Sequence, residues 1–366
     1  MLPIKNKPFT GLDHRYRGAL SSATWTLCVG AGISFGLVPT WQELTRRVVN
    51  HAFGTNYNED DFEKVIKETR WNLDALLQGA TNQLDLKGEP PEAFGDILEK
   101  IIYEDLMSEA AKAKVHSSLC DALSNPRWLR KEEILELTSF FETEHGKSTL
   151  VQLSRALAKG KETNKGPQAI INFNADTLLF ALLDIFLIRE HATKLGKWEF
   201  PPFSFARALR GIDGIDSKVT PIYHCHGAVA PPPSKRTKKS KRRDAREHLV
   251  FTEADYLSIA GNVATWAQAL FLFHAQSSKL LIIGHSLSDP NIRKWLGWSL
   301  NSSLQEMAAV SNAKEFTPRH IWIAKRPSHA SVREIQEISL LHLGVRVCWV
   351  NDWNEIGGTL ENLLAL

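Results

Sequence analysis

The stretch AIINFNADTLLF, residues 169–180, decides how this chain is read. Ile170, Ile171 and Phe173 make a short β-prone apolar run, which stops on Asn174, Ala175 and Asp176 before a second apolar run opens at Leu178. A strand followed within a few residues by a helix is the unit from which parallel sheets covered on both faces are built. The polar groups then fall at the carboxyl end of a strand, the edge where open α/β sheets bind ligands.

Comparable runs lie on either side: TWTLCVG (24–30), TPIYHCHG (220–227), KLLIIG (279–284), RHIWIAK (319–325) and VRVCWVN (345–351). Between the later runs, helical spacing extends over 253–276, 289–303 and 328–343. Ser288 and Asp289 before Pro290 offer a helix cap followed by a first-turn proline. The C-terminal WNEIGGTLENLLAL reads as a last helix. The expected class is α/β, a Rossmann-like, mostly parallel sheet with helices on both faces.

From Trp41 to about Lys165 the pattern changes to amphipathic stretches such as WQELTRRVVNHAF and KEEILELTSFFETE. A βα connection normally takes far fewer residues. The expected organisation is therefore an α/β domain from residues 1–40 and 166–366, an inserted all-helical subdomain at 41–165, and a basic loop at 231–247. No internal repeat is visible.

With 366 residues and 43% hydrophobic content, the chain can bury one large core or two medium ones. The opening MLPIKNKPFTGLDHRYRG lacks the unbroken apolar core of a signal peptide. The apolar run LLFALLDIFLI contains Asp184 and is too short to cross a bilayer. No membrane association and a cytoplasmic location are expected. Cys28, Cys120, Cys225 and Cys348 form no C-x-x-C pair, so neither a disulfide framework nor a zinc ribbon is expected, and no metal.

The net charge of +3 hides an asymmetry, because KRTKKSKRRDAR (235–246) carries eight Lys and Arg against one Asp. That run reads first as a solvated loop, and second as a contact for nucleic acid or another acidic partner. It has no aromatic residue for base stacking, so nucleic acid enters only as a trigger or through this loop.

Two strand-to-helix junctions have the composition of phosphate cradles. CVGAGISFG places Gly30, Gly32 and Gly36 after a strand, with Ala31 and Ser34 between them, and LLIIGHSLSDPNIR places Gly284, Ser286 and Ser288 after another. Glycines let the backbone approach a phosphate, and a helix N-terminus supplies N–H groups and a positive dipole end. Asn174 and Asp176 end one strand, His226 and Gly227 a second, Asn351 and Asp352 a third. Each residue alone also fits a turn, a helix cap or a core histidine. Together they point to one crevice.

GAGIS with Gly36 and Pro39, FNAD (173–176), CHG (225–227), GHSLSD (284–289) and VND (350–352) occur in the order seen in sirtuins, which the chain resembles over about residues 24–40 and 166–355. It departs from the protein-deacylating branch: the zinc-ribbon cysteines are missing, Thr40, Trp41 and Gln42 follow the proline in place of Asp, Phe and Arg, and Phe173 stands where glutamine is usual. TEADY (252–256) and GHSLSDPNIR are similar to the sirtuin-like branch of prokaryotic antiphage defence, in which the domain hydrolyses NAD.

The resemblance implies NAD as substrate. It places Asn174 on the ribose and the attacking water, Asp176 near the nicotinamide carboxamide, and His226 on the ribose hydroxyls as general base. An unperturbed imidazole pKa of about 6.5 suits that role. Gly30, Ala31, Gly32, Ser34, Gly284, Ser286 and Asn351 would hold the ADP-ribose part. The alternatives are ADP-ribosyl transfer or lysine deacylation, and a non-catalytic subunit that binds NAD or ADP-ribose. Unrestrained NAD hydrolysis would kill its host, so activation in trans is expected. By resemblance the activator is a HerA-like hexameric ATPase or an Argonaute-like protein, and the chain itself is expected to form a homo-oligomer.

Overall fold

The computed structural model describes residues 7–90, 92–208, 218–234, 249–261, 265–310 and 316–366. The basic run 235–246 lies outside the described residues. In chain order the elements are β1 (Phe9–Thr10), β2 (Trp25–Val29), then the helices α1 (Trp41–Phe53), α2 (Glu59–Thr69), α3 (Leu73–Leu86), α4 (Ala93–Lys112), α5 (His116–Ser124), α6 (Lys131–His145) and α7 (Thr149–Glu162). After them come β3 (Ala169–Asn172), α8 (Leu178–Leu195), β4 (Ser204–Ala208), β5 (Val219–His224), α9 (Glu253–Gly261), α10 (Trp266–Ser277) and β6 (Lys279–Ile283). The chain closes with α11 (Pro290–Val310), β7 (His320–Lys325), α12 (Ala330–Ile338), β8 (Val345–Val350) and α13 (Ile356–Leu364).

Among the described residues eight strands form one sheet in the order β1-β8-β7-β6-β2-β3-β5-β4, and every neighbouring pair is parallel. The α/β, Rossmann-like class read from the sequence is the observed one, and the sheet is wholly parallel. The short β1 and the strand SFARA (204–208) add to the runs read from the sequence; neither is an apolar run of the kind that marks the inner strands.

All carboxyl ends of a parallel sheet share one edge. The chain runs from β2 outward to β3 on one side and returns to β6 on the other, so the strand order reverses between β2 and β6. That reversal is where loops diverge and leave a crevice.

Apolar packing covers both faces. One cluster joins β2, β3 and β5 to the helices of the 41–162 segment and to α8 and α13, with Leu77, Leu106, Leu137 and Phe186 among its buried members. The other packs Cys28, Ile171, Leu280 and Trp322 against α10 and α11. All four cysteines are buried and unpaired.

Helix α8 is apolar all round because it lies against the sheet and under α5, α6 and α7. Asp184 on it is 1% exposed, accepts a hydrogen bond from Arg127 Nε at 3.0 Å, and so stays in the core. No helix among the described residues is long and apolar enough to cross a membrane.

Candidate functional site

The opening stretch is resolved by its hydrogen bonds. Strand β3 ends with the Phe173 N–H on Val29 C=O (3.0 Å) and the Cys225 N–H on Asn172 C=O (2.8 Å). The chain then turns: the Asn174 N–H donates to Asn172 Oδ1 at 2.9 Å, and α8 starts with the Leu178 N–H on Asp176 Oδ1 at 3.0 Å. Asn and Asp therefore do local work as turn and cap, as those residue types do elsewhere.

They also face a cavity of about 240 Å³, lined by Gly30 and Ala31 from the end of β2, Asn174 and Asp176 from β3, His226 from β5 and His285 from β6. Strand ends from both sides of the reversal thus meet in one place. The walls are completed by apolar and aromatic groups, among them Phe173, Trp41, Phe251 and Tyr256.

Asn174 is 5% exposed, yet neither Oδ1 nor Nδ2 has a hydrogen-bond partner among the described residues. An unsatisfied buried amide costs about 1–3 kcal/mol per group, so native structures rarely keep one without a use. Its backbone is held from behind, since His224 Nδ1 donates to Asn174 C=O at 3.2 Å.

His226 lies edge-on to Phe173 (ring centroids 5.1 Å apart) and to Tyr256 (5.7 Å). Phe173 also meets the His285 ring edge-on at 5.1 Å. Burial lowers the His226 pKa to about 4, with a weaker opposing pull from Asp255. The pKa near 6.5 expected from sequence is therefore corrected: a desolvated ring between aromatic neighbours is neutral throughout the physiological range. It can accept a proton as it stands, though as a weak base.

Asp176 shows the complementary effect. Burial raises its pKa to about 6, against hydrogen bonds from Leu178 N–H and from Ser34 Oγ (3.1 Å) that favour the carboxylate. Ser34 is fully buried behind Asp176 and serves it.

The remaining predicted residues divide. Gly32 and Gly284 are not among the residues that line the cavity; the Gly32 N–H donates to Gly284 C=O at 3.0 Å. Ser286 is exposed and its hydroxyl is 2.6 Å from that of Ser288. Asn351 is exposed at the end of β8, held by Glu355 through its N–H (2.9 Å) and its side chain (3.2 Å). Asn351 is not among the residues that line the cavity, and strand β7 stands between its strand β8 and β6.

Among residues not singled out, Ile102 of α4 lines the cavity, and its neighbour Tyr103 bonds the loops beneath it. Nothing in KIIYEDL distinguishes them from an ordinary helix stripe. Tyr256 and His285 stand inside the quoted motifs TEADY and GHSLSD, where their flanking strand-end residues were a usable signal.

Residues 169–348 match the SIR2-like domain family. Over that stretch, just under half of its length, the chain is similar to SIR2-like domains. The match begins at the first residue of β3 and ends inside β8, so it takes in Asn174, Asp176, His226 and His285 and leaves out β2 and the 41–162 helices. No curated protein matches the chain. A SIR2-like domain makes NAD the expected ligand and NAD-linked enzyme chemistry the expected class of activity. Among the described residues, no three His, Cys, Asp or Glu side chains are grouped to hold a metal ion.

Proposed function

We propose that the protein hydrolyses NAD to ADP-ribose and nicotinamide at the cavity between β6, β2, β3 and β5. The observation that carries the reading is Asn174: a buried amide with both polar atoms unpartnered, lining the cavity that His226 also lines.

Hydrolysis breaks the bond between ribose C1′ and the nicotinamide nitrogen. Nicotinamide leaves neutral, C1′ gains positive character, and a water oxygen bonds to it while losing a proton. Catalysis requires the ribose and one water to be held and bulk water excluded. In this reading Asn174 orients the ribose and the attacking water, and neutral His226 accepts the proton through the ribose hydroxyls. Asp176 receives the carboxamide N–H, and the aromatic walls keep other waters out.

The test is incubation of the protein with NAD alone, followed by chromatography. Free ADP-ribose and nicotinamide without any acceptor are expected, and Asn174→Ala or His226→Ala should lower the rate roughly 10²- to 10⁴-fold. Product that appears only with an acylated peptide or another acceptor would instead support transfer or deacylation. Full activity in both variants would falsify the site assignment.

The reading extends to a role as a toxic antiphage effector, a homo-oligomer switched on by a separate protein such as a HerA-like hexameric ATPase or an Argonaute-like protein. The same assay with and without the product of a neighbouring gene tests that part.

A further inference from the structure

We propose that Tyr103, on helix α4 of the helical segment, is a positioning residue for the site: its hydroxyl fastens the loop that carries Asn174 and Asp176 to the loop that follows His226. The inference rests on the reading of the cavity given above and adds a component from outside the strand ends.

Tyr103 is 2% exposed. Its oxygen accepts the Thr177 N–H at 2.8 Å and donates to Val229 C=O at 2.9 Å. Thr177 immediately follows Asp176, and Val229 is three residues after His226. One atom therefore spans the two loops that bear the catalytic candidates, using both its donor and its acceptor capacity. The Ala175 C=O takes the Val229 N–H at 2.8 Å, so the phenol and this backbone bond brace the same junction from two sides.

The neighbouring helix adds to the clamp. Thr177 Oγ1 donates to Leu123 C=O at 3.0 Å, near the end of α5, and Asp121 on α5 accepts from the Ser234 N–H at 2.8 Å. The loops at the sheet edge are thus set from the helical side, with Tyr103 at the point where both converge.

The bond roles are fixed. Burial and the nearby Asp176 raise the phenol pKa, so Tyr103 keeps its proton for Val229 and presents a lone pair to Thr177. The Thr177 N–H is one of the first amides of α8, which the helix cannot satisfy itself. Phenylalanine at 103 keeps the ring and leaves this N–H and the Val229 carbonyl without partners. A shift on the order of 1 Å in a catalytic group can cost about 10²-fold in rate.

A buried tyrosine that merely satisfies its hydroxyl is the competing explanation, and the experiment separates the two. The wild-type protein is compared with Tyr103→Phe, and with Leu106→Ala as a control that weakens α4 packing without touching the hydroxyl. Amide exchange and NAD turnover are measured on each. The expected result for Tyr103→Phe is faster exchange in 173–179 and 227–231 and a kcat drop of about 10- to 100-fold with KM changed less than about threefold, whereas Leu106→Ala leaves exchange in those loops near wild type. Unchanged exchange in both loops overturns the proposal, and so does loosened exchange with undiminished kcat. If the wild-type protein does not turn over NAD under any condition, the proposed hydrolysis fails instead. The exchange data then decide alone whether Tyr103 sets the two loops.

Discussion

Gly30 and Gly284 stand backbone against backbone: a Cβ on Gly30 would lie 2.8 Å from the Gly284 carbonyl oxygen, and one on Gly284 would lie 2.7 Å from the Gly30 carbonyl oxygen. The two glycines let the ends of β2 and β6 close on each other at the point where the strand order reverses, next to the cavity that Gly30 and His285 line. Gly284 also has φ +72, a conformation that costs other residues about 1–2 kcal/mol.

Gly284→Ala should therefore lose about 2–4 kcal/mol of stability, strain and overlap combined, in urea unfolding. Gly36, at φ +83 with open space around its missing side chain, should bear only the conformational part. Equal costs at the two positions would show that the close approach to Gly30 does not matter.

Asp176 is kept at the expense of stability. Its folded pKa of about 6 lies above the ordinary carboxylate value of 3.8, so the folded state holds the proton more tightly than the unfolded state does. The ionised carboxylate thus destabilises the fold above pH 6, and the penalty fades as pH falls from about 6 to 4. Asp176→Asn should be more stable than wild type at pH 7.5, by up to about 3 kcal/mol less the loss of two charge-assisted bonds, and should lose that advantage near pH 4. Turnover in the wild type should decline as pH drops through about 6. Melting temperatures and rates over pH 4–8 check both.

The buried histidines act in the opposite sense. Burial lowers His224 and His274 to about 4 and His320 to about 3. Each unfolded ring would take up a proton near pH 6.5, so the stability that comes from keeping them neutral is full above that value and is lost as pH falls toward 4. The protein should unfold in mild acid, and His320→Gln, which can still accept the Leu280 N–H now bound by Nδ1 at 3.1 Å, should move that transition to lower pH. Circular dichroism on titration from pH 7 to 3.5 follows it. An unshifted midpoint in the variant would count against this account.

Arg127 precedes α6, and Asp184 lies on α8. Their ion pair links the 41–162 helices to the sheet layer. Arg127→Ala leaves a buried carboxylate without its cation and should cost about 3 kcal/mol, while Arg127→Met with Asp184→Leu should recover most of the loss. Chemical denaturation read by tryptophan fluorescence measures both. A double variant no better than the single would show that packing around Arg127 outweighs its charge.

The strand ends were legible because the signals behind them are local. Alternation of apolar runs and helix caps, and polar residues at the end of each run, are properties of a few consecutive side chains, so AIINFNAD, TPIYHCHG and KLLIIGHS marked three walls of one cavity in advance. A strand tip does not state which other tips it will meet. Asn351 has the same local signature as Asn174, and only the sheet order, with β7 between β8 and β6, separates them.

The sequence by itself determined the α/β class, the strands of the inner sheet and the polar tips that belong to them, since each follows from neighbours along the chain. The tertiary structure alone decided that Asn174 and His226 line one cavity, that Gly30 and Gly284 touch, that Tyr103 reaches the loops from a helix some seventy residues earlier, and that burial keeps His226 neutral. Those facts depend on burial and on contacts between residues distant in sequence, and desolvation and close packing exist only once the chain has folded.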